Sequence, residues 1–187
     1  MLELPRRVPY ATWPGTLAVA AGIALYVGGL TAWDRHTPGY RELEPGQAVV
    51  AGDGARFVPA EGWDMDLTRT RAGRSLLLVK GGYSFAVATL PWAGGPEGPV
   101  ARQQRVLERG QGLHIDGDAA PFFNSWGLGG STFAYYGPQL AGRQWLVVDV
   151  QRRVLLQVDF RGPAEGLGEA LADAKAMVDS MDLEGGG

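Results

Sequence analysis

The chain has 187 residues, of which 45% are apolar, with 17 basic and 20 acidic side chains. That is enough chain for one domain with a proper core, and too apolar for a disordered tail. Setting aside Glu3, Arg6 and Arg7, the charges ahead of residue 34, leaves 15 basic and 19 acidic residues and a net charge of −4, which argues against nucleic acid as a partner; the absence of cysteine excludes disulfides, thiolate metal sites and a cysteine nucleophile.

In chain order, residues 1–13 form a short tail, and residues 14–33, PGTLAVAAGIALYVGGLTAW, carry no charge. As a helix this run would rise about 30 Å, the thickness of a bilayer core. Tyr10 and Trp13 flank one end and Trp33 the other, as rings that prefer the headgroup interface do. The segment is predicted to be a transmembrane signal-anchor. A cleaved signal peptide fits less well, because Ala18-Val19-Ala20 is the only cleavage-like triplet and a long apolar run follows it. Arg6 and Arg7 ahead of the span place the N-terminus in the cytoplasm and the rest of the chain outside, in a single-pass arrangement. Small residues at four-residue spacing, Ala18 with Gly22 and Ala20 with Ala24 and Gly28, are the candidate surface for packing against another membrane helix.

Residues 34–47 read as a linker, with two prolines and mixed charge. Strands are expected at 48–51, 56–59, 63–68, 75–80 and 83–90, with Gly81-Gly82 as a tight hairpin. In the last of these, Tyr83, Phe85 and Val87 alternate with Ser84, Ala86 and Ala88, the period of a strand. A Pro/Gly loop leads to a short amphipathic helix at 100–110, with Val100, Val106 and Leu107 as its apolar contacts and Gly110 and Gly112 at its end. Further strands are expected at 122–126, 131–136, 144–150 and 153–161. In the last, Val154, Leu156, Val158 and Phe160 face one way and Arg153, Gln157 and Asp159 the other, while Leu155 breaks the polar face and implies partial cover. A closing helix at 164–181 carries the stripe Leu167, Leu171, Ala174, Val178 and Met181, and residues 183–187 are a frayed tail. The fold class is α+β: one antiparallel sheet domain, residues 48–182, packed against two helices.

The phrase Phe57-x-Pro59-x-x-Gly62-Trp63, the mid-chain helix and the closing amphipathic helix resemble the Mog1/PsbP-like family, including actinobacterial exported domains of the LpqN kind. The resemblance implies an αβα sandwich and a family composed mostly of non-enzymatic binding and assembly factors, with no shared catalytic residues. The chain departs from the exported lipoproteins of that kind in having an uncharged anchor and no cysteine to carry a lipid.

Residues bearing chemistry are sparse. Gly127-Leu128-Gly129-Gly130-Ser131-Thr132 has no following lysine and leads into a strand, so it reads as a hairpin turn and not a phosphate loop. Ser131 lacks the context of a nucleophile elbow. His114, Asp116 and Asp118 read as a solvated turn. Asp64 with Asp66, and Asp149 with Asp159, are carboxylate pairs for which surface ion pairs with Arg152, Arg153 and Arg161 are the expected role. No catalytic, metal or cofactor residue is assigned, and an enzyme is not expected.

The aromatic cluster is the main lead. Phe122-Phe123 and Tyr135-Tyr136 are adjacent pairs, so both faces of their strands carry rings. One face belongs to the core; the other needs a helix, a ligand or a partner over it. Phe122, Phe123, Trp126, Tyr135 and Tyr136 are the candidate partner or ligand surface. The expected function is a membrane-anchored extracytoplasmic binding or assembly module, an accessory component of a cell-envelope or membrane protein complex. The alternative is a membrane-tethered domain that binds a small apolar or lipid ligand between sheet and helix.

Overall fold

The computed structural model describes residues 39–52 and 54–183, together with Ile23 and Tyr26. By internal contacts the chain divides into residues 1–38 and 39–187. The expected span 14–33 and its stripe of Ala18, Ala20, Gly22, Ala24 and Gly28 lie outside the described residues, except that Ile23 and Tyr26, within that span, are helical. Among the described residues no helix is long and apolar enough to cross a membrane.

The 39–187 unit is built on an antiparallel sheet of eight strands. In chain order its members are β1 (Tyr40–Glu42), β4 (Asp64–Asp66), β5 (Ser75–Lys80), β6 (Tyr83–Pro91), β7 (His114–Phe123), β8 (Gly129–Tyr136), β9 (Ala141–Asp149) and β10 (Val154–Gly162). They lie in the order β1-β4-β5-β6-β10-β9-β8-β7. A smaller sheet joins β2 (Val49–Ala51), β3 (Ala55–Phe57) and β11 (Asp182–Leu183), with β3 in the middle. Two helices complete the unit: α1 (Gly98–Arg105), continued by a π-helical turn at Val106–Gly110, and α2 (Leu167–Asp179).

Each face of the large sheet has its own core. On one face, Phe85, Val87, Leu156, Val158 and Phe160 pack with Trp63, with Phe57 from the small sheet, and with Ala174, Met177 and Val178 from α2. The rings pack at steep angles, Trp63 edge-on to Phe85 at 6.4 Å and tilted to Phe160 at 6.4 Å, with Phe57 tilted to Phe85 at 5.6 Å. Burying each such ring stabilises the fold by about 2–3 kcal/mol. On the opposite face Leu107 from the π-helical turn, Leu113, Phe133, Tyr135, Leu146 and Leu155 form a second core. The helices therefore lie on opposite sides, and the αβα sandwich is borne out. Leu155 is buried beneath the α1 side, the cover implied by its interruption of the polar face.

Several local expectations are corrected. Residues 40–42 of the expected linker form the edge strand β1, held by pairing with β4 although all three side chains are exposed. His114 and Asp116 are in strand β7, not in a loop: they pair with Tyr136 and Ala134, and a bulge follows before Ala120. The strand expected to reach Trp126 ends at Phe123, and residues 124–128 make the turn, leaving Gly129 and Gly130 in β8. Val106 faces outward at 44% exposure because the π-helical turn rotates Leu107 into the core instead. The closing helix starts only at Leu167, after Gly166 in a left-handed conformation, and Met181 is buried beyond its end. Leu183 belongs to β11 and not to a tail. Gly81-Gly82 does form the two-residue turn between β5 and β6, with φ of +55° and +87°, values open to glycine.

Candidate functional site

The turn joining β7 to β8 is the most distinctive local construction. Asn124 Oδ1 accepts from the backbone N–H of Trp126 at 3.1 Å and of Leu128 at 2.8 Å, folding the turn on itself. The same side chain's Nδ2 donates to the carbonyls of Val178, at 3.1 Å, and Met181, at 2.6 Å. Helix ends leave carbonyls without intrahelical partners; the Val178 carbonyl accepts from the Met181 N–H at 3.1 Å, and the hairpin adds a further donor to it and one to the Met181 carbonyl. Ser125 adds two more bonds to the Asp179 carboxylate, from its backbone N–H at 3.0 Å and its hydroxyl at 2.7 Å. Gly127, at φ +79°, closes the turn in the left-handed region. The hairpin is thus clasped onto the C-terminal end of α2.

The clasp displays aromatic residues on either side of the helix end. Phe123 is 79% exposed and Trp126 68% exposed. Trp126 lines a recess of about 290 Å³ with Ala48, Arg56, Phe57, Val58, Ser180 and Asp182. Phe123 borders a second groove, of about 450 Å³, between α2 and the sheet, while its ring lies over Gly129 on the opposite face. The floor of that groove is Phe122, Thr132, Arg143 and Trp145; its helical wall is Lys175, Ala176, Val178 and Asp179. Register explains the floor. Arg143 and Trp145 alternate along β9 on the side facing α2, and Thr132 pairs with Trp145. Beyond the groove the same face of β8 continues through Ala134 to Tyr136, which is 49% exposed and lies with its ring centroid 5.5 Å from that of His114.

The five aromatic residues expected as one surface are therefore distributed. Phe122 is half-buried in the groove floor, Phe123 turns its ring over Gly129 on the opposite face, Tyr136 lies farther along the strip of Phe122, and Trp126 is on the other side of the helix end. Tyr135 is 1% exposed on the opposite face and belongs to the second core.

Charge separates this groove from the others. A groove of about 540 Å³ near the β5–β6 turn contains Arg69, Lys80 and Arg161, but each pairs with an aspartate: Arg69 with Asp66, Lys80 with Asp173 and Arg161 with Asp159. By contrast, no carboxylate among the described residues lies within ion-pair distance of Arg143 or Lys175. The Nε of Arg143 is buried without a hydrogen-bond partner among those residues. Sequence reasoning passed over Arg143; the available signal was its alternation with Trp145 and Val147, which places it on a core-facing side.

The carboxylates serve structural roles. Asp66 accepts from the Thr68 hydroxyl at 2.6 Å and from the Thr68 and Arg69 amides. The Thr68 bond, reinforced by those amides and the Arg69 charge, outweighs burial and holds the carboxyl below its ordinary range. At Asp173 burial works against the charge, but Lys80 and the Trp63 indole N–H, at 2.8 and 3.0 Å, prevail and lower the pKa. Burial pushes Asp159 up, partly offset by the Tyr135 hydroxyl, Arg161 and Gln144. Burial and the neighbouring Asp159 charge also keep the Tyr135 hydroxyl protonated. Asp149 and Asp159 are five register positions apart on one hairpin, too far for a shared proton; Asp149 pairs with Arg152 and Asp159 with Arg161, both at 3.6 Å. Among the described residues, no group of three or more His, Asp or Glu side chains is arranged to hold a metal ion.

No family model and no curated protein sequence matches the chain. Solved structures do. The cyanobacterial PsbP protein CyanoP of Synechocystis sp. PCC 6803 is similar with a TM-score of 0.55 at 12% identity, over 73% of this chain and 91% of that one. The Saccharomyces cerevisiae Ran-binding protein Mog1p is similar with a TM-score of 0.51 at 13% identity, over 73% and 94% of the two chains. An eight-stranded antiparallel sheet between two helices, matched to both of these structures, has the Mog1/PsbP-like fold.

Proposed function

We propose that this protein is a membrane-tethered, non-enzymatic binding or assembly module. Its domain stands on the extracytoplasmic side and captures a protein partner, an envelope or membrane protein, through the β7–β8 end of the sheet. The observation that carries the reading is the exposure of Phe123 and Trp126, at 79% and 68%, at a turn rigidly clasped to a helix end, with Tyr136, 49% exposed, at the other end of β8. Large rings held on a rigid support are the residues that dominate protein interfaces. The anchor reading rests on the uncharged run 14–33, its flanking Trp13 and Trp33, and Arg6 and Arg7 ahead of it. Mog1p, of the same fold, is described as Ran-binding, a precedent for partner capture on this scaffold.

An apolar ligand between sheet and α2 has little support. Trp63, Phe85 and Phe160 fill that space at 0–1% exposure, so a lipid would have to use an open groove.

The test is copurification of the tagged full-length protein from its own membranes in mild detergent, beside Phe123→Ser and Trp126→Ser variants of unchanged thermal stability. A stoichiometric partner that is lost with either variant supports the reading. A partner retained equally by both variants, or lipid alone, overturns it.

A further inference from the structure

We propose that the groove beside α2 binds an extended peptide segment in which an acidic residue adjoins an apolar one. Arg143 and Lys175 receive the carboxylate and Phe122 and Trp145 the apolar side chain. The inference deepens the partner-binding reading and rests on it.

Three observations converge on this ligand. The first is charge. The chain beyond residue 33 is net acidic, yet this groove presents Arg143 and Lys175 without a carboxylate partner among the described residues. Its own acid, Asp179, is already engaged by both donors of Ser125. Asp116 shares the face of Arg143, but Ala134 stands between them in the register, a separation of about 10 Å across two strand spacings. The second is an orphaned donor: Arg143 Nε is buried with no acceptor among the described residues. A buried polar group left unpaired costs about 1–3 kcal/mol; Nε itself is closed off, and the terminal guanidinium nitrogens, which are not buried, are the donors open to an incoming carboxylate. Arginine is suited to that task because its planar fork matches a carboxylate with two parallel bonds.

The third observation is shape. The open strip on this face runs from Phe122, opposite Gly130, to Tyr136, about 20 Å at the rise of a strand. That is the reach of an extended segment of about six residues. Addition of a strand to the free edge of β7 is the competing mode, and the edge opposes it: Pro121 lacks an N–H and the bulge between Asp116 and Ala120 breaks its register. The groove thus offers side-chain recognition where the edge does not offer backbone recognition.

The probe is a fluorescein-labelled, amidated peptide alternating aspartate with phenylalanine, titrated by anisotropy against the full-length protein in a nonionic detergent. A control peptide carries asparagine for aspartate. The expected result is saturable binding of the aspartate peptide, weakened about tenfold by Arg143→Gln and by more in combination with Lys175→Gln, the scale of one lost charge-assisted bond. The control peptide should bind no better than the double variant. Equal binding of both peptides, or unchanged binding by a folded Arg143→Gln variant, overturns the proposal. So does capture of anionic phosphatidylglycerol vesicles by the groove with no peptide binding. If the aspartate peptide fails while partner copurification still depends on Trp126, the groove assignment falls and the partner-binding reading stands.

Discussion

Replacing Asp159 with asparagine should leave the fold as stable or make it more stable at neutral pH, although the residue sits in a hydrogen-bonded network. The Asp159 side chain is 16% exposed. Its Oδ1 accepts from the Tyr135 hydroxyl at 2.7 Å and from Gln144 Nε2 at 3.2 Å, and its Oδ2 lies 3.6 Å from Arg161 Nε. Burial raises its pKa despite these partners. A carboxyl with a higher pKa folded than unfolded binds its proton more tightly in the folded state. Its contribution to stability is therefore greatest in acid and declines as pH rises from the ordinary aspartate range through the folded value. Asparagine keeps an Oδ1 acceptor for both donors and removes the desolvated charge. It sacrifices the attraction to Arg161, whose side chain is 46% exposed and whose pairing is worth little. The variant should lie between no change and a gain of about 2 kcal/mol at neutral pH, and the gain should vanish as acid protonates the wild type. Urea denaturation of the full chain at neutral and mildly acidic pH measures both. A loss exceeding about 2 kcal/mol at neutral pH, or a difference that does not change with pH, would refute the argument that burial dominates here.

Other consequences follow from the same geometry. Asp66 carries the opposite sign: its pKa is lowered, so its stabilisation is present above the unfolded value and lost as pH falls through the folded one. Asp66→Ala should cost about 1–3 kcal/mol at neutral pH by orphaning the Thr68 and Arg69 donors, read from the denaturation midpoint. Asn124→Ala removes four hydrogen bonds from the clasp; it should cost about 1–3 kcal/mol and speed amide exchange at Trp126 and Leu128 before it affects β10. Trp63→Phe deletes the indole donor to Asp173 and leaves a void beside Phe85 and Phe160, an expected loss of about 1–4 kcal/mol in thermal or urea unfolding.

Much of the fold was legible because local pattern and tertiary position agreed. The β5–β6 hairpin announces itself through the apolar run Leu76–Val79, the Gly81-Gly82 turn and the alternation of Phe85 with Ala86, and the structure pairs Leu78 with Phe85 in that register. The leading half of β7 was not legible. His114-Ile115-Asp116-Gly117-Asp118 has the composition of a turn, and only pairing with β8 at the sheet edge makes it a strand. At the hairpin tip, Phe122, Phe123 and Trp126 suggested a continuous strand. Asn124 was the contrary signal, since its side chain readily bonds backbone two residues on, as it does to Trp126. The aromatic expectation placed rings on both faces correctly, because adjacent strand residues must diverge. It could not divide core from surface, because that division depends on where the helices stop. The cationic side of the groove was illegible for a related reason: whether Arg143 has a partner is a property of the assembled fold.

Photocrosslinking in native membranes tests the central claim most directly. Benzoylphenylalanine is placed at Trp126, at Phe123, or at Arg74 in the exposed turn before β5, and the full-length chain is irradiated in its own membranes. The account predicts one discrete protein adduct at Trp126 and Phe123 and none at Arg74. Equal adducts at all three positions, or none at the two aromatic positions, would contradict it.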